Sequence, residues 1–439
     1  MRDAIAVTAK ATRSQRHPTG LYVLFFTEMW ERFSYYGMRS LLVYYMIKHL
    51  QFTQVRSSEI YGLYTGLVYF TPLFGGMLAD RLVGQRRAVI LGGLLMAIGH
   101  FLMAIESLFY PALAFLILGN GAFKPNISTQ VGALYPPGDH RRDRAFSIFY
   151  MGINLGAFFS PLVCGTLGEK IAYHWGFGAA GIGMLIGLFV YLRGQKYLAP
   201  DLIMRKKESR QEQSAEPMRR EDWLKVSAIF VMMALSIVFW SVYEQQGNTM
   251  ALWADANTER SIFGWQMPAS WFQSFNPLMI FILVPVVNIV WGWQDSRGKE
   301  PSSIAKMGIG CILLAAAFLI LIPPARELAS SPRASLWWLT ACTFVLTVGE
   351  VYLSPIGLSL VTKIAPARIV SMMMGIWFLS SFFGNYLSGY LGTFWEKMPK
   401  EKFFLLMFVL SFLAGLAFFA LLKPLKKAIG LDNKTALNI

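Results

Sequence analysis

The chain is predicted to be an all-α membrane protein, with twelve transmembrane helices in two six-helix bundles around a central cavity. Three observations predict it. Of the 439 residues 55% are hydrophobic, and the mean hydropathy is +0.45, which is the composition of a polytopic membrane protein and not of a soluble domain. Apolar runs of about 20 residues, the length that crosses a bilayer, recur along the chain. They fall into two groups of six, parted by a polar, charge-dense stretch.

In order, a polar, basic tail at 1–20 lacks the apolar core of a signal peptide, so no cleavage is expected. The first six spans are read at 21–48, 58–79, 87–105, 110–134, 145–167 and 175–192, giving an N-terminal bundle over 21–192. Residues 193–224, including Arg205-Lys206-Lys207-Glu208-Ser209-Arg210, show no apolar period and are read as a cytoplasmic linker. Six further spans at 225–253, 268–293, 303–324, 335–362, 369–395 and 402–422 make a C-terminal bundle over 225–422, and 423–439 is a second cytoplasmic tail. Cys164, Cys311 and Cys342 all fall in spans, too few for a disulfide framework or a zinc site, and are read as packing residues.

The formal net charge of +15 invites a nucleic-acid reading, but its distribution argues otherwise. Of the 40 Lys and Arg, 28 lie in the two tails and the even-numbered loops, and nine in or beside the odd-numbered loops. This is the positive-inside pattern, and it places both termini in the cytoplasm. The basic surplus is therefore topology, with the lipid bilayer as partner and no nucleic acid.

The remaining three basic residues, Arg32, Arg39 and Lys124, lie inside spans. On a helix, Glu28, Glu31, Arg32, Tyr35 and Arg39 of the first span share one face about 100° wide. Each charge facing lipid at the bilayer centre would cost roughly 2.5–3.5 kcal/mol even on a lenient scale, so this face must look into protein or water. Lys124 in span 4, Glu244 in span 7 and Glu350 in span 10 are the other interior charges. Together Glu28, Glu31, Glu244 and Glu350 outnumber Arg32, Arg39 and Lys124 by one. A carboxyl without a cation in a low-dielectric cavity is suited to carry a proton.

Between spans 2 and 3, Asp80-Arg81-Leu82-Val83-Gly84-Gln85-Arg86-Arg87 has the order of the loop signature of the major facilitator superfamily, whose layout is also six plus six spans. Asp80, Arg81, Arg86 and Arg87 are expected to form a latch that breaks as the halves rock. Trp293-Gln294-Asp295-Ser296-Arg297-Gly298-Lys299 is a weaker echo in the second half.

Glu28-x-x-Glu31-Arg32-Phe33-x-Tyr35-Tyr36-Gly37 resembles the signature of proton-dependent oligopeptide transporters, the peptide transporter family. Phe149-Tyr150-Met151-Gly152-Ile153-Asn154, Phe239-Trp240-x-x-x-Glu244-Gln245-Gln246-Gly247 and Gly349-Glu350-x-x-x-Ser354-Pro355-x-Gly357 resemble its further motifs. The resemblance implies a proton-coupled symporter that imports di- and tripeptides by alternating access, a carrier and not an enzyme, without cofactor or metal. It would act as a monomer in the plasma (bacterial inner) membrane.

By position, the resemblance implies that Arg39, Lys124 and Asn154 meet the peptide carboxylate. Glu350, helped by Asn276, would meet the α-ammonium. Tyr35, Tyr36, Tyr64 and Tyr69 would contact backbone or side chains, Trp240, Trp377 and Phe378 would line side-chain pockets, and Ser354 would join the substrate-binding residues. Glu28, Glu31, Arg32 and Glu244 would handle proton coupling.

Two features depart from common family patterns. Residues 193–224 are too short and polar to supply the two extra helices of many bacterial members, and span 2 has no histidine, so coupling should rest on carboxylates. Other small amphoteric or anionic solutes, or a non-transporting peptide sensor, are the alternatives. The metalloprotease helix motif, the serine-nucleophile elbow and the phosphate loop are all absent from the sequence.

Overall fold

The computed structural model describes residues 16–136, 139, 141–200, 218–328, 333–366 and 369–430. Helix α1 (Thr19–Tyr44) ends in a π turn at Tyr45–His49. Helix α2 (Gln54–Phe70) starts earlier than its apolar run, because Thr53 caps it, its side chain accepting from the Arg56 amide. It is prolonged by Pro72–Leu78. Then come α3 (Gln85–Leu102), α4 (Phe109–Ala133), α5 (Arg141–Ser160, continued to Lys170 through a π turn at Pro161–Gly165) and α6 (Tyr173–Gly194).

The second half repeats the count. Helix α7 (Arg220–Tyr243) begins inside the stretch expected to be linker, and it continues through a 3-10 turn at Glu244–Gly247 into Thr249–Ala256. The rest of that stretch, 201–217, lies outside the described residues, as do most of the two expected tails. A two-stranded hairpin (Ser261–Ile262 with Trp265–Gln266) and a 3-10 segment, Ala269–Ser274, lead into α8 (Phe275–Asp295). Helices α9 (Ser303–Ile320), α10 (Leu336–Ile364), α11 (Val370–Gly392) and α12 (Lys400–Ala420) complete the chain.

Eight of these helices are long and apolar enough to cross a membrane; α1, α2, α3 and α11 fall short. In α1 the cause is the Glu28, Glu31, Arg32 and Arg39 face, and all four side chains are buried. Apolar side chains such as Phe26, Leu118, Phe189, Ile289 and Leu413 point outward instead. A water-soluble monomer rarely exposes so much contiguous apolar surface, so the chain is an integral membrane protein.

Two separate apolar cores form. One gathers Leu24, Met96, Phe123, Phe177 and Tyr191 from α1–α6, and the other Phe239, Phe318, Leu346, Phe404 and Phe418 from α7–α12. Helices α2 and α11 pack across the join, and a Cβ on Gly62 would fall 2.5 Å from the Gly389 Cα, so only glycine permits that approach.

Among the described residues, several bonds between the halves gather at the end of the molecule away from the termini. There Tyr44 Oη donates to the Ala251 carbonyl at 2.8 Å, Ser58 Oγ to Asn248 Oδ1 at 2.9 Å and Gln54 Nε2 to the Gly392 carbonyl at 2.9 Å. Lys48 Nζ lies 2.6 Å from Asp255 Oδ2. This face, called outer below, is closed.

Candidate functional site

A cavity of about 340 Å³ lies between the halves. The α1 face splits into two parts relative to it. In the part nearer the terminus, Arg32 Nε lies 3.2 Å from Glu28 Oε1 and also bonds Glu31 Oε2, while Asn120 Nδ2 of α4 reaches Glu31 Oε1 at 3.4 Å. The spacing of four residues between Glu28 and Arg32 lets a helix make this pair without distortion. None of the three lines the cavity. They form a buried cluster wholly inside the first half.

One to two turns on, the same face reaches the cavity. Arg39 Nε donates to Tyr61 Oη at 2.8 Å, and Arg39 Nη2 pairs with Glu244 Oε2 of α7. Glu244 sits where α7 changes from α to 3-10 geometry, a change common at hinges. Two residues that the sequence had placed in different roles, one for peptide and one for the proton, are therefore bonded partners across the halves.

On the α4 wall, Lys124 Nζ stands 4.4 Å from the Tyr69 ring centroid, and among the described residues no carboxylate lies within ion-pair distance. On the α10 wall, Glu350 Oε2 accepts from Tyr243 Oη at 2.6 Å and from Asn276 Nδ2 at 2.9 Å, and Asn276 also reaches Thr347 Oγ1 at 3.0 Å. No cation pairs with Glu350 among the described residues. Among the described residues, the cavity thus presents one unpaired cation from the first half and one unpaired carboxylate from the second.

Tyr36, Asn154, Trp240, Asn276, Ser354 and Phe378, expected from the sequence to bind substrate, also line it. Asn154 donates an amide N–H to the Tyr150 carbonyl, at 3.0 Å, and its side chain also bonds the Tyr150 side chain. Three expected contacts stand elsewhere. Tyr35 is buried with the Arg32 guanidinium 5.3 Å from its ring centroid, and its hydroxyl has no hydrogen-bond partner among the described residues; Tyr64 is buried in the first-half core, and Trp377 is buried against Gly357 of α10.

Residues not singled out complete the wall, among them Tyr150, Tyr243, Gln246, Gln273 and Ile280. Tyr150 and Tyr243 stand inside the motifs already quoted, but a tyrosine in a span carries no mark separating wall, core and interface. Nothing in the sequence marks Gln273.

The residues of the expected latch do not line this cavity. Arg81 and Arg87 are exposed, and the Asp80 side chain is outside the described part. Arg86 Nη2 donates to the Leu198 and Ala199 carbonyls at 2.8 and 2.6 Å, so these bonds tie the loop to the segment after α6 in its own half.

Two bundles around a polar cavity with charged walls define a membrane carrier of the major facilitator type. Residues 86–202 and 196–406 match the POT family, and the chain belongs to that family. It is 36% identical to the peptide transporter YePEPT of Yersinia enterocolitica, over 86% of this chain and 88% of that protein. It is 34% identical to a di-/tripeptide transporter of Lactococcus lactis subsp. cremoris, over 94% and 97%. A crystallised mutant of the peptide transporter POT in complex with alafosfalin superimposes with a TM-score of 0.87 at 33% identity, covering 94% of this chain and 96% of that one.

Proposed function

We propose that the protein is a proton-coupled symporter that imports di- and tripeptides across the plasma (bacterial inner) membrane by alternating access, with both termini cytoplasmic. The observation that carries the substrate class is the pair of uncompensated charges. A short peptide at neutral pH is a zwitterion, and a site with Lys124 on one half and Glu350 on the other gives each terminus a partner. Its side chains then meet Tyr36, Tyr69, Trp240 and Phe378, which discriminate weakly among apolar groups. Fixing the two termini while leaving the pockets loose accepts many sequences. The names of the relatives support the same class.

The coupling follows from the ion pairs. A peptide carboxylate beside Lys124 competes for Arg39, which releases Glu244 to accept a proton. Glu28, Glu31 and Arg32 form the second carboxylate cluster available to a proton. With proton and peptide both bound, fewer bare charges oppose rocking of the halves, and each ligand favours the conformation the other favours. In the described arrangement the outer face is the closed one. The Lys and Arg surplus on the side of the termini supports the orientation.

The test is uptake of labelled dialanine by proteoliposomes under an inside-negative, outside-acid gradient, with competitors. Unlabelled di- and tripeptides should abolish uptake, whereas tetrapeptides, free amino acids and nitrate should leave it. Inhibition by tetrapeptides or nitrate alone overturns the substrate assignment. Binding without accumulation identifies a sensor.

A further inference from the structure

The 3-10 segment Ala269–Ser274 belongs to the second half by sequence, yet its bonds are to the first. Glu169, at the outer end of α5, accepts the Ala269 amide on Oε2 and the Ser270 amide on Oε1, both at 2.8 Å. Trp271 Nε1 donates to Thr166 Oγ1 at 2.9 Å, Ser274 Oγ to the Phe158 carbonyl at 2.8 Å, and Gln273 Nε2 to the Ser40 carbonyl at 3.2 Å. At the same level a Cβ on Gly165 would fall 2.0 Å from Ser270 Oγ, so α5 and the segment touch backbone to side chain. The Glu169 side chain is only 12% exposed, and the nearest cation, Arg260 at 3.9 Å, is itself held by Asp255 Oδ1 and the Met267 carbonyl.

This strap runs without interruption into α8. Gln273 lines the cavity, and Asn276, in the first turn of α8, bonds Glu350. Whatever moves the strap moves two residues of the site. Opening of the outer face must break the Glu169 bonds, because their donors and acceptor lie on opposite halves.

We propose that Glu169 is a positioning residue for transport: it fastens the Ala269–Ser274 strap when the outer face shuts, and so sets Gln273 and Asn276 over the cavity only in the closed state. The inference rests on the carrier reading above. Both oxygens of the carboxylate are used, each in a charge-assisted bond. Glutamine keeps one acceptor and loses the charge.

The experiment measures distances between spin labels in the full-length reconstituted protein. One pair replaces Ile171 and Trp337, exposed residues on the outer side of the first and second halves; the other replaces Phe146 and Met372, exposed on the side of the termini. In Glu169→Gln the outer-open population should rise roughly tenfold, the equivalent of about 1.4 kcal/mol, in the range of one charge-assisted bond. The outer distance should lengthen while the inner distance shortens, a reciprocal change that general loss of packing does not produce. Trp271→Phe, which removes only the indole N–H, should move both distances the same way by less, and it serves if Glu169→Gln does not fold.

Unchanged distances in both variants overturn the proposal, as does lengthening at both faces. Because no peptide is needed, a failed dialanine assay would leave this outcome intact, and a working assay with unmoved distances would reject the strap alone.

Discussion

Arg32 and Arg39 stand on the same face of α1, about two turns apart, and both are buried. They are held in opposite ways. Arg32 takes its partners from its own helix, Glu28 and Glu31, with Asn120 of α4 behind them. Arg39 takes Tyr61 from α2 and Glu244 from α7, on the other half. A bond inside one rigid bundle keeps its geometry when the bundles rock, whereas a bond between bundles is made and broken by that motion. On the proposed mechanism the first arginine would set a local charge state, and the second would change partners with conformation. Similar residues at similar burial do different work because of where their partners are anchored.

The largest effect should come from breaking the cross-half pair. Arg39→Met leaves Glu244 buried without its cation, a loss of about 3–5 kcal/mol for a buried pair. Initial uptake of dialanine should fall at least roughly 100-fold, since each 1.4 kcal/mol is a factor of ten. A variant retaining a tenth of normal uptake would mean that the pair is dispensable to the cycle.

Next is Glu350→Gln. It retains hydrogen-bonding capacity toward Tyr243 and Asn276 but removes the charge that faces an ammonium. Competition measurements should show peptide affinity lowered by roughly 10–100-fold, the range of a hydrogen bond to a charged group. N-acetylated dipeptides sharpen the test, because they lack the cation. They should bind the parent protein weakly and lose little more in the variant. If free and acetylated peptides lose affinity equally, Glu350 does not meet the peptide amine.

A smaller and more selective effect is expected at the first arginine. Arg32→Lys keeps the charge but loses the planar fork that reaches Glu28 and Glu31 together. Equilibrium binding of dialanine should stay within about threefold, because the cluster does not line the cavity, while proton-driven uptake falls roughly tenfold (~1.4 kcal/mol). Equal losses in binding and uptake would place Arg32 in the peptide site and erase the contrast with Arg39.

The helical layout and the charged face were legible because ionisable residues inside apolar runs have few places to go. Individual wall positions were less so, for a geometric reason. Successive residues on an α-helix point about 100° apart, so one of two adjacent aromatics can face a cavity while the other turns into the core. Tyr36 faces it and Tyr35 does not; Phe378 faces it and Trp377 does not. Tyr64 and Tyr69 are five residues apart on α2 and diverge similarly, with only Tyr69 on the wall. A motif supplies residue types but leaves the phase of each helix about its axis to packing. Glu169 was invisible for another reason: its partners are backbone amides about a hundred residues away, and an amide has no sequence signature.

That phase argument gives the smallest expected effect. Tyr64→Phe and Trp377→Phe alter side chains that the structure holds in the cores, so peptide affinity should change by less than about 0.5 kcal/mol, the scatter of substitutions away from a binding surface. The pair Phe378→Ala and Trp240→Ala, on the wall, should instead change the ranking of peptides by side-chain size and leave the requirement for free termini intact. Competition by dialanine, diphenylalanine and N-acetyl-dialanine against each variant separates the outcomes. If Trp377→Phe reorders the peptides as strongly as Phe378→Ala, α11 turns about its axis during the cycle, and the wall seen with the outer face closed is not the wall that selects the peptide.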